Sequence, residues 1–237
     1  MAQVMIGYDP REHVAAEVCA YSIRRWSPLP VRMLKWDDPL VRKIYKRPYH
    51  REHTQYVDDV TGAPFSTQFS FTRFLVPYLS NYKGWALFCD CDFLFTAPIH
   101  ELFDLADEQY AVMCVQHRHD PEELRKMDGV QQTRYRRKNW SSLVLWNCGH
   151  PSNRKCRPGE VNRMPGLWLH GFDWLDDSEI GELPVEWNYL VGTNTAKECP
   201  APKGIHYTLG GPWFNDCQDV EYADEWRATM SQMVDAA

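Results

Sequence analysis

Several features that would assign a protein to other classes are scarce or missing in this sequence of 237 residues. No apolar run is long enough to cross a membrane, and the opening residues, MAQVMIGYDP, lack the basic start and small-residue cleavage site of a signal peptide. Basic residues are outnumbered, because 26 Lys and Arg face 32 Asp and Glu. Since a nucleic-acid groove needs clustered Lys and Arg, we expect no nucleic-acid partner. The sequence therefore predicts a cytoplasmic protein without a transmembrane segment.

The eight cysteines form no CxxC pair, the usual beginning of a structural zinc site. They are scattered along the chain, and Cys89, Cys114 and Cys148 lie in apolar runs. Cysteine in such a run behaves as a small buried hydrophobic residue. We therefore expect reduced thiols, as is usual for a cytoplasmic protein.

What the sequence does contain is enough apolar material for a large core, 44% of its residues. Apolar runs and helical spacing predict a β-α-β beginning and further buried strands. The predicted strands lie at 4–9, 31–35, 85–89, 110–115 and 142–147, and the predicted helices at 12–26, at 69–79 with a kink or end at Pro77, and from about residue 220. This order is typical of one mixed α/β domain with a less regular C-terminal half.

Two polar segments interrupt the pattern. Residues 37–66 are rich in charge, His and Tyr, and predict a long connection with one helix. The run RYRRK at 134–138 predicts a solvated basic loop; the alternative is a segment that recruits an anionic acceptor or a membrane surface.

The most informative segment is WALFCDCDFLF at 85–95, where an apolar strand runs into two carboxylates. In an extended chain residues i and i+2 point the same way, so Asp90 and Asp92 can face one cation. Ligands of open α/β sheets bind beyond the carboxyl ends of the strands, where these residues lie. Two close carboxylates need a compensating charge, which Mn²⁺ or Mg²⁺ supplies through oxygen ligands. A surface turn or a helix cap is the alternative interpretation of this pattern.

Four segments, in order, give the chain a resemblance to a known family: IGYDP at 6–10, RF at 73–74, FCDCDFLF at 88–95 and HYTLGGPW at 206–213. Together they resemble the retaining glycosyltransferases of the GT-A fold, of the family 8 type that includes glycogenin and bacterial lipopolysaccharide galactosyltransferases. The resemblance implies a single glycosyltransferase domain over 1–237 with a Rossmann-like, mostly parallel sheet flanked by helices. It also implies a nucleotide-binding half at 1–116 and a sugar and acceptor half at 117–237.

The resemblance implies roles for particular residues. Tyr8 and Asp9 would hold the base and ribose of the nucleotide, and Arg73 would touch the donor. Asp90 and Asp92, with Cys91 between them, would hold Mn²⁺ on the pyrophosphate, and His206 would complete the metal ligands. The pair Gly210 and Gly211 would allow the backbone to approach a phosphate. For four of these positions the residues alone also allow simpler roles: a helix cap for Asp9, a surface ion pair for Arg73, an ordinary strand end for His206 and a plain turn for the glycines.

The sequence also departs from the family pattern. The family commonly has a Lys before the late Pro-Trp pair, where this chain has Gly211. Ser141 and Ser142 replace the usual Asn-Ala-Gly at the donor sugar. Asp173 is retained near the reacting carbon, but Trp174 occupies the place of an amide, so a different sugar pocket is expected.

We therefore predict transfer of a sugar from a nucleotide diphosphate donor, with UDP expected, to a hydroxyl of a carbohydrate or small acceptor. Retention of configuration follows from the resemblance alone, and Asp173 is the predicted catalytic residue. The aromatic residues, 14% of the chain, predict walls for the acceptor, with Trp174 and Trp213 first among them.

Other functions fit parts of the same pattern. A nucleotide-sugar hydrolase would use the same residues, and an inverting transferase would use Asp173 or Asp176 as a base. A sugar nucleotidyltransferase would need a Gly-rich, basic N-terminal loop, which is not found. A carbohydrate-binding protein with a structural Ca²⁺ at the two aspartates is the non-enzyme alternative. If the donor site exists, residues 37–66 are either a mobile lid over it or a fixed excursion.

Overall fold

A six-stranded sheet lies at the centre of the computed structural model, which describes residues 2–117 and 137–236. The strands along the chain are β1 (Gln3–Gly7), β2 (Val31–Leu34), β3 (Tyr49–Glu52), β4 (Gln55–Asp58), β5 (Pro64–Phe65), β6 (Trp85–Cys89), β7 (Phe93–Phe95), β8 (Val112–Cys114), β9 (Leu143–Asn147), β10 (Ile180–Glu182), β11 (Tyr189–Leu190) and β12 (Gly204–His206). The α-helices are α1 (His13–Arg24), α2 (Pro39–Ile44), α3 (Val76–Leu79), α4 (His100–Phe103), α5 (Pro158–Arg163), α6 (Gly166–His170) and α7 (Ala223–Asp235).

The central sheet has the strand order β10-β8-β9-β6-β1-β2. Its pairs are parallel except at β9, which runs antiparallel to both β6 and β8. Because of this reversal, the start of β9 lies beside the carboxyl end of β6, with Leu143 opposite Cys89. The predicted α/β class and mostly parallel sheet are confirmed.

The core strands form where the sequence is continuously apolar. From Ala86 to Cys89 the side chains of β6 are fully buried, as expected for a central strand covered on both faces. Helix α1 packs against β1, β2 and β7 through small residues such as Ala16, Cys19 and Ala20, which let the helix approach closely. The predicted β-α-β beginning and the C-terminal helix are confirmed, while the periodic segment at 69–79 forms a 3-10 helix, Thr72–Leu75, followed by α3, with Pro77 in its first turn.

A second sheet, in the order β11-β12-β7, follows the two aspartates along the chain through its strand β7. Strand β7 begins directly after Asp92 and pairs antiparallel with β12, so that Phe93 lies opposite His206. The backbone N–H of Tyr207 donates to the carbonyl oxygen of Asp92 at 3.0 Å. This pairing brings His206, which is 114 positions after Asp92 in the sequence, next to the Asp-X-Asp segment.

The expectation for residues 37–66 was incomplete. The segment contains the one predicted helix, α2, but also a three-stranded antiparallel sheet, β3-β4-β5, which the sequence did not indicate. All four residues of β3 are exposed, so the strand has no alternation of polar and apolar residues to reveal it. The sheet packs through an aromatic cluster instead, formed by Trp36, Tyr45, Tyr49, Tyr56 and Phe65.

The basic run at 134–138 lies partly outside the described residues, which resume at Arg137. Arg137 is buried, donates to the carbonyl oxygens of Gly171 and Phe172, and pairs with Asp177. Lys138 is also buried. The prediction of a solvated loop is therefore wrong for these two residues, because tertiary contacts outweigh the hydration of their charges. Within residues 2–117 and 137–236, none of the helices combines the length and the apolar character needed to cross a bilayer.

A buried ion pair fixes the sheet β3-β4-β5, called the small sheet below, to the rest of the fold. Arg47 donates from Nε and Nη2 to the two carboxylate oxygens of Asp58, both at 2.8 Å, and the two side chains are 1% and 2% exposed. The Nη1 atom of Arg47 also donates to the carbonyl oxygens of Val161 and Met164, at 2.7 and 2.9 Å. One guanidinium therefore joins β4 to the C-terminal half of α5.

We expect Arg47→Met to destabilise the protein by about 3–5 kcal/mol, because it leaves the carboxylate of Asp58 buried without its counter-charge. Arg227→Met is the control, since Arg227 pairs with an Asp224 that is 95% exposed, and its loss should cost less than about 1 kcal/mol. Denaturant unfolding monitored by tryptophan fluorescence measures both. Equal losses for the two variants would contradict the role given to Arg47.

Candidate functional site

A cavity of about 290 Å³ lies beside the residues that follow β1 and β6. It is bounded by the small sheet on one side and by the segments before β9 and around α6 on the other. Its described lining comprises Arg11, Glu12, Asp58, Thr61, Ala63–Phe71 without Gln68, Arg73, Asp90, Asp92, Lys138, Asn139, Ser141, Ser142, Pro165–Leu167, His170, His206 and Thr208. The cavity therefore gathers residues from both predicted halves of the chain.

Three potential metal ligands converge in this cavity. Asp90, Asp92 and His206 each offer a ligand atom, and these atoms lie within 4.8 Å of one another. His206 Nε2 lies 3.3 Å from Asp92 Oδ1. The imidazole is 1% exposed and stacks on Phe93, with the ring centroids 4.3 Å apart. Two carboxylates and an imidazole are a donor set that suits Mn²⁺ and, less specifically, Mg²⁺.

A relay of hydrogen bonds orients the His206 ring. The hydroxyl of Ser142 donates to the carbonyl oxygen of Asn139 at 2.7 Å and accepts from Nδ2 of Asn188 at 2.9 Å. The carbonyl oxygen Oδ1 of Asn188 then lies 2.9 Å from His206 Nδ1 and can only accept. With Nδ1 donating to Asn188, the other ring nitrogen, Nε2, faces Asp92, which is the orientation that a metal ligand requires.

Arg73 lies next to the metal cluster. Its Nη1 is 2.8 Å from Asp90 Oδ1 and 2.8 Å from the carbonyl oxygen of Ser141, and the residue is 6% exposed. The 3-10 helix at Thr72–Leu75 places it there, and the reversed strand β9 brings Ser141 to the same point. Arg73 is thus a buried cation beside the cluster, in a cavity wall, and is not part of a surface ion pair.

The two residues after β1, Tyr8 and Asp9, make contacts within the protein. Asp9 is fully buried and caps the short 3-10 helix Pro10–Glu12, accepting from the backbone and side chain of Arg11 and from the backbone N–H of Gln68. Burial alone would raise the pKa of the Asp9 carboxyl, but its hydrogen bonds to Arg11 hold the pKa below the ordinary value. Tyr8 is covered by Lys35, whose Nζ lies 4.3 Å from the ring centroid. Neither Tyr8 nor Asp9 lines the cavity, and their nucleotide roles stay predictions.

Three other residues predicted to bind the donor, Cys91, Gly210 and Gly211, lie outside the described lining of the cavity. Cys91 is fully buried, and burial raises the pKa of its thiol well above the ordinary value. Gly210 adopts a φ of +115°, and Gly211 lies so close to Trp213 that an added Cβ would be 2.1 Å from Cζ3 of the indole. Backbone conformation at Gly210 and the close approach of Trp213 to Gly211 are therefore sufficient reasons for glycine at these positions. A contact with a phosphate stays a prediction. Ser141 and Ser142, by contrast, line the cavity directly.

The predicted catalytic and acceptor residues are not brought to the cavity. Asp173 is exposed and lies outside the described lining. Trp174 is 6% exposed and packs against Phe74, Trp146 and Phe172 in the core. Trp213 is half-buried among Tyr207, Phe214 and Trp226. The catalytic role of Asp173 and the acceptor roles of the two tryptophans stay predictions from the sequence.

Sequence reasoning missed four polar residues of the site. Asn188 orients His206, and His170 contacts the Ser141 hydroxyl through Nδ1 at 2.8 Å. Glu12 and Lys138, 2% and 7% exposed, line the cavity. Lys138 belongs to the basic run at 134–138, for which a solvated loop was predicted, and the other three belong to no recognisable motif. The one available signal for these three is the polar Asn188 between two buried aromatic residues, since an interior amide needs partners.

Comparison with solved structures identifies the fold. The bifunctional glycosyltransferase WbbM matches 97% of this chain with a TM-score of 0.65 and 17% identity, although the match covers only 49% of that protein. GlyE of Streptococcus pneumoniae TIGR4 matches 99% of this chain and 62% of its own, at a TM-score of 0.62 and 14% identity. The galactosyltransferase LgtC, solved with donor and acceptor sugar analogs, matches 98% of this chain and 96% of its own, at a TM-score of 0.62 and 15% identity. The chain has the GT-A-like fold of these glycosyltransferases, and the predicted fold resemblance is confirmed.

No family model matches the sequence. A whole-chain relative is Protein CDI of Arabidopsis thaliana, which is 49% identical over 233 residues, covering 97% of this chain and 86% of that protein. At this identity and coverage, the chain belongs to the same family as Protein CDI.

Proposed function

We propose that this protein is a metal-dependent glycosyltransferase that moves a sugar from a nucleoside diphosphate donor to a hydroxyl group. The nucleoside diphosphate that we propose is UDP. The observation that carries the proposal is the convergence of Asp90, Asp92 and His206 with the buried cation Arg73 in one cavity of a GT-A-like fold. The fold alone does not specify chemistry. The site adds the charge pattern that a diphosphate leaving group needs.

The residues fit a bound Mn²⁺ or Mg²⁺. Asp90 and Asp92 supply hard oxygen ligands, and the relay through Asn188 leaves His206 Nε2 ready to bind a metal. An imidazole in the set disfavours a purely structural Ca²⁺, which prefers oxygen ligands throughout. The donor chemistry therefore supports the transferase over a carbohydrate-binding protein with calcium.

The chain's own residues have distinct tasks in the proposed transfer. As the bond between the sugar and the diphosphate breaks, negative charge grows on the diphosphate oxygen, and a bound metal would neutralise part of it. Arg73 adds a fixed positive charge beside Asp90 and needs no rearrangement, because Ser141 and Phe88 already hold its guanidinium. The bond from the anomeric carbon to the phosphate oxygen breaks, the bond to the acceptor oxygen forms, and the acceptor proton passes to the leaving diphosphate.

The acidic residues of the cavity wall bear on whether the configuration of the sugar is retained or inverted. Among the described lining residues the acidic side chains are Glu12, Asp58, Asp90 and Asp92. Arg47 holds both oxygens of Asp58, and Asp90 and Asp92 belong to the metal cluster. Asp173 and Asp176, the aspartates considered as bases of an inverting enzyme, are exposed and outside the lining. An inverting route through the described lining would therefore depend on Glu12. We propose retention, in which the leaving diphosphate takes the proton, on the family resemblance of the sequence.

The thiols support a reducing compartment. All eight cysteines lie among the described residues as free thiols, seven of them buried. We include a cytoplasmic location in the proposal on that ground.

We expect Asp90→Asn and Asp92→Asn each to lower metal-dependent turnover by on the order of 100-fold or more, because each removes a charged ligand from the cluster. The assay incubates the protein with a panel of nucleotide sugars and Mn²⁺, with and without a chelator, and measures free UDP or GDP with and without acceptors. Release that needs both the metal and the aspartates supports the proposal, and release that stays at the same rate with every acceptor identifies a hydrolase instead. The proposal fails if no donor is bound or turned over across the panel.

We expect Asn188→Leu to weaken Mn²⁺ binding by about 10- to 100-fold, because the His206 ring loses the acceptor that fixes its tautomer. Asn153→Leu is a matched control: Asn153 is equally buried and donates two hydrogen bonds to backbone oxygens, but it does not contact the cluster. Calorimetric titration with Mn²⁺ measures the affinity, and thermal unfolding compares the stabilities. Equal Mn²⁺ affinities in the two variants would contradict the relay.

A further inference from the structure

The cavity continues beyond the metal cluster to a second end of different character. A chain of contacts connects the two ends. Arg73 bonds to Asp90 and to the backbone of Ser141, and the Ser141 hydroxyl lies 2.8 Å from His170 Nδ1. The ring of His170 lies 6.0 Å from that of Phe71. One imidazole therefore marks the junction between the charged end and the second end.

The second end is walled by apolar groups. Phe71 lies 5.1 Å from Phe65, ring centroid to centroid, and an added Cβ at Gly166 would lie 3.0 Å from Cε1 of Phe71. Leu167, in α6, also lines the cavity and is 52% exposed, an unusual fraction for a leucine at a cavity wall. Three more apolar residues, Ala63, Pro64 and Pro165, complete the lining here. We call this set the apolar end.

Three hydroxyl side chains near the apolar end, those of Thr61, Thr67 and Ser70, are already engaged within the protein. Thr61 Oγ1 donates to Asp58 at 2.6 Å, and Arg47 holds both Asp58 oxygens. The hydroxyls of Thr67 and Ser70 bond to each other at 3.1 Å. An oligosaccharide must exchange many hydrogen bonds with water for bonds to its site, and this wall offers few. An apolar body gains from the same wall by leaving water.

The apolar end is built before any ligand arrives. Phe65 stacks on Tyr56, with the centroids 5.2 Å apart, and the guanidinium carbon of Arg47 lies 4.1 Å from the ring centroid of Phe71. The first contact lies within the sheet β3-β4-β5, and the second involves the arginine of its buried ion pair. A wall held in this way loses little conformational entropy when it binds a ligand.

We propose that the apolar end binds the body of the acceptor and that this acceptor is a hydroxylated aromatic compound, a phenol or an aryl alcohol, whose oxygen is presented near His170. The proposal rests on the proposed transferase function. The acceptor oxygen forms the bond to the anomeric carbon, and the bond to the diphosphate breaks. The leaving group keeps that electron pair and takes the acceptor proton, so the products are an aryl glycoside and a nucleoside diphosphate.

The test compares 4-nitrophenol and 4-methylumbelliferone with glucose and lactose as acceptors, using the donor that the protein turns over with Mn²⁺. We expect the KM for a phenolic acceptor to lie at least about tenfold below that for either sugar, because burial of one aromatic ring outweighs the few hydrogen bonds available. Transfer confined to the sugars would overturn this inference and leave the transferase function standing.

A pair of variants separates a specific wall from a general effect. Leu167→Gln should raise the phenolic KM about fivefold while the donor KM changes by less than twofold, because it removes apolar contact at the acceptor end. Leu105→Gln is the matched control, an exposed leucine outside the described lining, and should change neither constant. Equal effects of the two variants would contradict the assignment of Leu167.

Calorimetry decides the inference independently of turnover. We expect 4-nitrophenol to bind protein loaded with UDP and Mn²⁺ about as well as it binds free protein, and Leu167→Gln to weaken both. Competition between UDP and 4-nitrophenol would show that the nucleotide occupies the apolar end, and absence of phenol binding would remove the subsite; either result overturns the inference. If no donor is turned over but the phenol binds and Leu167→Gln weakens it, the transferase function fails and the apolar subsite remains.

Discussion

The guanidinium of Arg73 is the contact on which the geometry of the site depends. It joins the 3-10 helix that carries it to Asp90 after β6 and to Ser141 before β9, and it is almost fully buried. Burying an ion pair costs desolvation that an apolar pair would not incur, so such a pair contributes little net stability. The pair matters for the positions of its neighbours. The same cation holds one carboxylate of the cluster and the backbone of Ser141, whose hydroxyl contacts His170.

The position of Ser141 depends in turn on the reversal of β9. If β9 ran parallel to β6, its first residues would lie at the opposite edge of the sheet. The antiparallel pairing places Leu143 beside Cys89 and lets the N–H of Asp90 donate to the carbonyl oxygen of Ser142 at 2.9 Å. The side chains of the two serines then point into different networks, one toward His170 and one toward Asn188. A single change of strand direction therefore supports both the cluster of Asp90, Asp92 and His206 and the apolar end of the cavity.

The extent to which the sequence predicts this structure follows from the range of the interactions involved. Continuous apolar runs such as β6 and the two-residue spacing of Asp90 and Asp92 are local signals, and they predicted the core strand and the carboxylate pair correctly. The sheet β3-β4-β5 was missed because its exposed residues show no alternation and its stability comes from aromatic packing and the Arg47–Asp58 pair. Trp174 illustrates the converse difficulty, since a tryptophan in an irregular segment carries no local sign of whether it faces a ligand or, as here, the core.

The same reasoning explains why no sequence motif reveals the apolar end. Phe65 and Phe71 lie on either side of a turn, while Gly166 and Leu167 come about 95 residues later, so no spacing links them. Only the fold brings them together, and it does so with the Arg47 guanidinium, which bonds to Asp58 on the small sheet and to the carbonyl oxygen of Met164 just before α6. The ion pair that stabilises the small sheet therefore also sets the distance between the two walls of the cavity. Stability and the shape of the apolar end are coupled through one buried arginine, because a change that loosens the sheet β3-β4-β5 also changes the spacing of the two walls.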